Sequence, residues 1–411
     1  MKYDLIVIGA GPAGMSGAIK AASYGAKVAI IDENPSVGGK LLGQLHKEPK
    51  SGWWHGRKIA REMETNLRQT EVTCFQGKEV WAIYPRWKVL MNNGEELQSE
   101  YVLIASGATE KAIPVPGWTL PGAMAVGAAQ TLTNYHRVKP GNKVAVIGVD
   151  PLSLSVAHQL KLAGVHVVGI FLPPNNEFSK DKSTPSQMIS YLSSMAHAAP
   201  NIFLKFAGNM AKYPFVQQVG AKFYPWFGIR IWGTPLYLRK TVLEISGAEQ
   251  VEHIKVAPVS QEGIPNEDRV KTVDVDCVCI SGGLYPLTEL AGAVGCESVY
   301  IEELGGHIPL HSPEMETTQP GIFVAGNITG IESAKVAMEQ GNLAGTAVAA
   351  KLGLVSYKLI EEAQKNVTQA RDNAVITFQQ NIGKGREKSQ QYWKEYYSKG
   401  GEAICRQLML S

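Results

Sequence analysis

Short apolar runs, most of them closing on glycine, punctuate the chain: Tyr3–Gly9, Lys27–Ile31, Tyr101–Gly107, Lys143–Gly148, His166–Phe171, Cys277–Gly283 and Gly321–Gly326. Continuous Val/Ile runs of this kind predict strands buried on both faces, and the stretches between several of them suit helices. That alternation predicts parallel sheets of the α/β class. Two segments, Asp4–Asp32 (DLIVIGAGPAGMSGAIKAASYGAKVAIID) and Lys143–Phe171 (KVAVIGVDPLSLSVAHQLKLAGVHVVGIF), share one plan of strand, turn, helix and second strand. The duplication predicts two successive Rossmann-like dinucleotide-binding folds.

The Pro- and Gly-rich stretch Ile113–Pro121 predicts an interdomain crossover, and the polar stretch Pro173–Ser186 a loop excursion. After Ser356 the pattern changes. Ile360, Ala363, Val367, Ala370 and Ala374 recur at helical steps and predict an amphipathic helix, broken at Gly383–Gly385 before the aromatic segment QQYWKEYY. The expected domains are therefore 1–115 with 284–352 for the first, discontinuous fold, 116–283 for the inserted second fold, and 353–411 for a helical tail.

At 411 residues the chain exceeds the ~250–300 that one core supports, which agrees with several domains. Hydrophobic residues make up 45% and charged residues 19%, so a soluble globular protein is expected and a disordered one excluded. The net charge of +3 is too small to imply nucleic-acid binding. It is uneven, however: residues 351–411 hold 10 Lys/Arg against 6 Asp/Glu, leaving 30 and 31 for the rest. The five cysteines are scattered, with no CxxC pair, so neither a disulfide framework nor a dithiol centre is expected. Cys277 and Cys279 would share one face of a strand, as core. No run of 18 uncharged apolar residues occurs, and the first apolar run is too short for a signal peptide, so a cytoplasmic location is expected.

Gly9, Gly11 and Gly14 fit GxGxxG between a strand and a helix. Gly9 permits the tight turn, Gly11 lets backbone approach a pyrophosphate, and Gly14 lets the helix pack on the strand. The helix start, with Pro12 and Ala13, favours a diphosphate. Asp32 ends the second strand, where a carboxylate can accept a ribose hydroxyl. In the second unit the corresponding turn reads Gly148-Val149-Asp150-Pro151-Leu152-Ser153, with Asp150 and Ser153 in place of the second and third glycines. A carboxylate there repels the diphosphate of NAD(P), and the following strand ends at Phe171-Leu172 without an acid or arginine for the ribose. The second fold is expected to be retained without NAD(P) use.

Three markers together resemble flavoproteins of the glutathione-reductase superfamily: Asp32-x5-Gly38-Gly39, LIASGA at Leu103–Ala108, and TTQPGIFVAGN at Thr317–Asn327. The third ends in Gly326-Asn327 where that superfamily has Gly-Asp. Asn still offers hydrogen bonds to a ribityl hydroxyl, without charge. GGKLLGQLHKEPKSGWW and the run CVCISGG…LTELAGAVGC…ELGGHIP are similar, more narrowly, to the FAD subunits of hydrogen cyanide synthase, opine oxidase and dye-linked L-proline dehydrogenase. The sarcosine oxidase α subunit has a related domain.

The resemblance implies FAD as cofactor, with a binding set of Gly9, Gly11, Pro12, Ala13, Gly14, Asp32, Glu33, Gly39, Lys40, Leu41, Val80, Ala105, Ser106, Gly107, Gly326, Asn327 and Ala334. Lys40, Gln44, His46 and Lys335 are the candidates near the flavin ring. It also implies a heteromeric amino- or imino-acid dehydrogenase (proline, hydroxyproline, opine or glycine type). The substrate site would then lie on an amine-oxidising flavoprotein partner, and a [2Fe–2S] cluster on a separate small chain. A second nucleotide, ATP or ADP, could occupy the second fold. Two other functions stay open: a stand-alone NAD(P)H-dependent FAD reductase, and a non-catalytic nucleotide-binding scaffold.

Overall fold

The computed structural model describes residues 2–48, 52–194, 224–225, 228–375, 377–379 and 381–398. In chain order, the elements that matter for the site begin with β1 (Lys2–Ile8), α1 (Pro12–Ser23), β2 (Val28–Asp32) and β3 (Glu96–Ile104). Next come β4 (Lys143–Ile147), α2 (Pro151–Leu162), β5 (His166–Leu172) and β6 (Cys277–Ile280). The last are β7 (Ile322–Val324), α3 (Ala334–Lys351), α4 (Lys358–Asp372) and α5 (Ile382–Ser398). The chain divides into two compact units: residues 1–42, 56–109 and 284–411, and residues 43–55 and 110–283.

The first unit is built on a parallel core in the order Thr73–Gln76, β2, β1, β3 and β7. Ile6 pairs with Ala29 on one side and Val102 on the other, and Val102 in turn with Ile322. The amino-terminal half of β3 instead joins an antiparallel meander with Lys88–Met91 and Val80–Tyr84. Ile6, Ile8, Ala29, Ile31, Val102, Ile104, Ile322 and Val324 form one buried layer. That explains why these strands read as unbroken apolar runs.

Glycine sets the helix packing on this sheet. A Cβ on Gly341 of α3 would overlap the carbonyl of Ala13, and one on Gly345 the carbonyl of Gly17. A Cβ on Gly17 would meet Leu103 Cδ2 at 2.5 Å. The backbones of α1 and α3 thus touch directly, with Ala13 and Gly17 of α1 against Gly341 and Gly345 in the middle of α3.

The tail belongs to the first unit. Ile360, Ala363 and Val367 of α4 are buried as expected. The break after α4 differs from the sequence expectation. α4 ends at Asp372 and α5 begins at Ile382, so Gly383 and Gly385 lie inside α5. Gly385 serves a contact there, since a Cβ would meet Glu303 Cβ at 2.9 Å and Leu304 Cδ2 at 3.0 Å. Close approach of α5 to its neighbour, rather than helix breaking, accounts for that glycine.

The second unit repeats the parallel core in the order Ala123–Ala125, β6, β4, β5, continuing into Thr234–Ser246 and an antiparallel pair, His253–Pro258 and Lys271–Asp274. Cys277 and Cys279 point into its core. A hydrogen bond with Cys277, and then burial, hold the Cys279 thiol well above its ordinary pKa, so it stays protonated and inert. This unit also contains the hairpin Leu45–Glu48 and Gly52–His55, a placement the sequence pattern does not anticipate.

The α1–α3 contact makes a test of packing. Gly341→Ala is expected to destabilise the protein by about 1–3 kcal/mol through overpacking, outweighing a gain of about 1 kcal/mol in helix propensity. Gly292→Ala is the control, because its Cβ would meet nothing within 4 Å. Urea midpoints should fall for the first substitution and hold or rise for the second.

Candidate functional site

The Gly9–Gly14 turn lies where β1 passes into α1. Gly9 has φ +97, and a Cβ there would meet Ala105 O at 2.5 Å. A Cβ on Gly14 would overlap the Gly9 carbonyl. Gly11 differs from both: nothing lies within 4 Å of its missing Cβ. No side chain caps α1, whose first residue is Pro12 and whose N-cap is Gly11. The first-turn amides therefore face open space lined by glycine, a cradle suited to an anion that backbone must approach closely.

The flanking loops converge on this turn. Gly39, at φ +50, sits with its Cβ position 3.0 Å from Gly11 Cα, and Gly38 N donates to Ala10 O at 2.8 Å. Gly326, at φ +82, has its Cβ position 2.8 Å from Ala13 Cβ. Ala105 backs Gly9. Ser106 Oγ donates to Leu287 O at 2.7 Å, and Gly107, at φ +80, faces open space. The structure thus brings Gly9, Gly11, Ala13, Gly39, Ala105 and Gly326 together. Leu41 is fully buried, Val80 packs on the sheet core, and Ala334 opens α3 one residue after its Ser333 cap. Lys40 is exposed and Lys335 half-buried on α3.

The two acids separate. Asp32 is buried, and its Oδ2 accepts Ala10 N at 2.6 Å while Oδ1 accepts Asn34 N at 2.8 Å and Asn34 Nδ2 at 3.0 Å. Its carboxylate braces the turn through these bonds, at the end of β2 where the sequence places the ribose acceptor. Glu33, the next residue, is exposed.

Below the turn lies a cluster that sequence patterns do not reveal. Gly326 N donates to Gln340 Oε1 at 2.8 Å, and Asn327 Oδ1 accepts Glu332 N at 3.2 Å. The buried Glu332 carboxylate accepts Arg371 Nε at 2.9 Å and Gln340 Nε2 at 3.2 Å, and pairs with Arg386. Burial pushes this carboxyl up, but the Arg386 and Arg371 guanidiniums prevail and hold it below the ordinary range. Burial lowers Arg386 to about 10, so it stays charged at neutral pH. The ring of His311 lies buried beside this cluster, with Nδ1 2.8 Å from Ser312 O.

In the second unit the equivalent turn is closed. Asp150 caps α2: its Oδ1 accepts Ser153 N at 2.8 Å, its N–H donates to Ser153 Oγ at 2.9 Å, and its Oδ2 accepts Ser281 Oγ at 2.6 Å. A carboxylate of the chain occupies the place a diphosphate would take, so the residues present do not fit a pyridine nucleotide bound in the usual way. Gln44 and His46 fall in this unit, on the hairpin. Gln44 Oε1 accepts Trp54 Nε1 at 3.0 Å, and the His46 ring stacks on Trp54 at 5.9 Å. The hairpin backbone is held by Asn134 Nδ2 on Gly43 O at 2.7 Å and Gln159 Nε2 on Leu45 O at 2.6 Å.

Residues 3–178 match the family described as pyridine nucleotide-disulphide oxidoreductase. The chain is 30% identical to an opine oxidase subunit of Agrobacterium tumefaciens (strain Ach5), over 86% of this chain and 67% of that protein. It is 24% identical to hydrogen cyanide synthase subunit HcnB of Pseudomonas protegens, over 87% and 72% respectively. It spans about two thirds of the length of the opine oxidase subunits it matches. L-proline dehydrogenase from P. horikoshii has the same fold, with a TM-score of 0.62 at 18% identity over 89% of this chain and 59% of that one. No helix among the described residues is long and apolar enough to cross a membrane.

His311 makes the stability depend on pH. Burial, and then Arg386 and Arg371, lower its pKa to about 4, against the partial support of Ser312 O. Unfolded histidine binds a proton near pH 6.5 and folded His311 does not until about 4. Its contribution is therefore full above pH 6.5 and is lost as pH falls toward 4, by roughly 3 kcal/mol. Urea unfolding at pH 7.5 and pH 5 should show a smaller loss in His311→Gln than in the unsubstituted protein. An equal loss would place the pH dependence elsewhere.

Proposed function

Because this chain belongs to the flavoprotein family that includes the matching opine oxidase subunits and hydrogen cyanide synthase subunit HcnB, we propose that it is the FAD-holding, electron-transferring member of a heteromeric amino- or imino-acid dehydrogenase. The observation that carries the reading is the contrast between its two helix starts. That of α1 is uncapped and opens on Gly11, whereas that of α2 is filled by Asp150. One fold is built to receive a dinucleotide and the other to do without a pyridine nucleotide.

FAD bound at the first turn would supply two-electron acceptance and one-electron release, chemistry that side chains lack. The chain's own residues bind and orient it. The amides after Gly11 and the positive end of α1 hold the diphosphate. Glu33, exposed beside the internally bonded Asp32, takes the ribose hydroxyls. Asn327 has its Oδ1 engaged by the Glu332 amide, which leaves Nδ2 as a donor toward the ribityl oxygens. The start of α3, capped by Ser333, offers positive potential to the reduced ring.

The names of the matching opine oxidase subunits support an oxidase-type complex with opines as the substrate class, and the sequence resemblance adds glycine and proline-like imino acids. The substrate would be oxidised on a partner flavoprotein chain, and a small [2Fe–2S] protein would be a further member. Among the described residues no group of His, Cys, Asp or Glu could hold a metal ion. Any ATP or ADP bound by the second unit would have to be held away from the Asp150 turn.

Two measurements test this. Anaerobic titration with NADH and then NADPH should leave the bound flavin oxidised. Rapid bleaching would instead favour a stand-alone NAD(P)H-dependent reductase. Gly11→Ala and Glu33→Gln should each weaken FAD binding on the order of tenfold, about 1.4 kcal/mol, with little change in melting temperature. Asp32→Asn should act chiefly on stability, since it removes a buried brace of the turn.

A further inference from the structure

We infer that the two carboxy-terminal helices position Asn327 through Glu332, making Glu332 and Arg386 positioning residues for the flavin. The inference rests on the cofactor assignment made above and extends it to a part of the chain far from the glycine turn. It starts from the loop between β7 and α3, Gly326–Ser333, which carries Asn327. Ile328 and Ile331 are the buried apolar anchors of this loop; Ile331 N donates to Leu304 O at 3.1 Å, and side-chain hydrogen bonds add to this hold.

From α5, Arg386 Nη1 donates to Thr329 O at 2.6 Å and to Thr329 Oγ1 at 3.3 Å, while Nη2 meets Glu332. From α4, Arg371 meets both Glu332 oxygens, Nε on Oε1 at 2.9 Å and Nη2 on Oε2 at 3.2 Å. From α3, Gln340 ties the same carboxylate back to Gly326 N. Thr329 Oγ1 closes the set by donating to Gly326 O at 2.9 Å. Three helices therefore converge on one loop, and the Glu332 amide is the donor that fixes the Asn327 side chain.

The chemistry explains why arginine is used. Two planar guanidiniums can share one carboxylate and still reach a main-chain carbonyl, which a lysine ammonium does less well. The Glu332 side chain is 8% exposed and that of Arg386 10%, so removing one partner strands a buried charge. The grip is thus strong in one place, at Arg386. It is weaker at Arg371, whose side chain is 30% exposed.

The test uses the full chain with and without FAD. Hydrogen exchange of residues 326–334 is followed in the FAD-free protein, and FAD affinity is measured separately, for the unsubstituted protein and for Arg386→Gln, Arg386→Lys and Arg371→Gln. Arg386→Gln is expected to speed exchange at Gly326, Ile331 and Glu332 at least tenfold while β1 and α1 stay protected. It should also raise the FAD dissociation constant about tenfold. Arg386→Lys should recover part of both effects, and Arg371→Gln should show less of each. Unchanged exchange at 326–334 overturns the inference. So does faster exchange with unchanged FAD affinity, or a loss of protection spread evenly over the first unit that Arg386→Lys does not relieve. If the unsubstituted protein binds no FAD, the cofactor assignment fails, and the exchange data alone still decide whether the tail grips the loop.

Discussion

Every helix begins with amides that have no partner inside the helix, and something must accept their hydrogen bonds. That requirement divides the two halves of this molecule. At α1 no side chain supplies an acceptor: Gly11 is the N-cap, Pro12 has no N–H to satisfy, and nothing lies within 4 Å of the missing Gly11 Cβ. At α2 the chain supplies its own, a capping box between Asp150 and Ser153 with Ser281 on the remaining oxygen. The same supersecondary plan is left incomplete in one place and made complete in the other.

The incomplete one draws its support from packing at backbone distance. Because Gly17, Gly341 and Gly345 have no side chains, α1 and α3 meet main chain to main chain, and Gly326 comes to rest against Ala13. Contacts of this kind tolerate little adjustment, which suits a site whose donors must hold still. The electrostatic layer beneath is equally constrained. Glu332 lies between two arginines in a buried setting, where partners are worth keeping only as a complete set.

What could be read in the sequence was local. The glycine turn, the strand runs and the substitution of Asp150 and Ser153 all sit within a few residues of one another, and their consequences depend on short-range geometry. The bracing of the turn by Asp32 was not legible, because it depends on whether Ala10 N and Asn34 reach the carboxylate. Nor was the grouping of Gln44 and His46 with the second unit, which rests on hydrogen bonds from Asn134 and Gln159 across 91 and 114 residues. Gly383 and Gly385 resembled a helix break because glycine has low helix propensity, yet Gly385 is there to let α5 approach Glu303 and Leu304. The Arg371 and Arg386 pairing with Glu332 spans 39 and 54 residues and leaves no periodic trace.

The Asp150 cap has a consequence for how this protein can change. Replacing Asp150 by glycine alone would not reopen a dinucleotide turn. It would leave the fully buried Ser153 without its carboxylate partner, and the Ser281 hydroxyl likewise. Ser153 would still stand where helix and strand need glycine to pack closely. Any change toward an open glycine turn therefore runs through variants less stable than the present chain. Three side chains that hold one another in place make each single replacement unfavourable, so this helix start resists change one residue at a time.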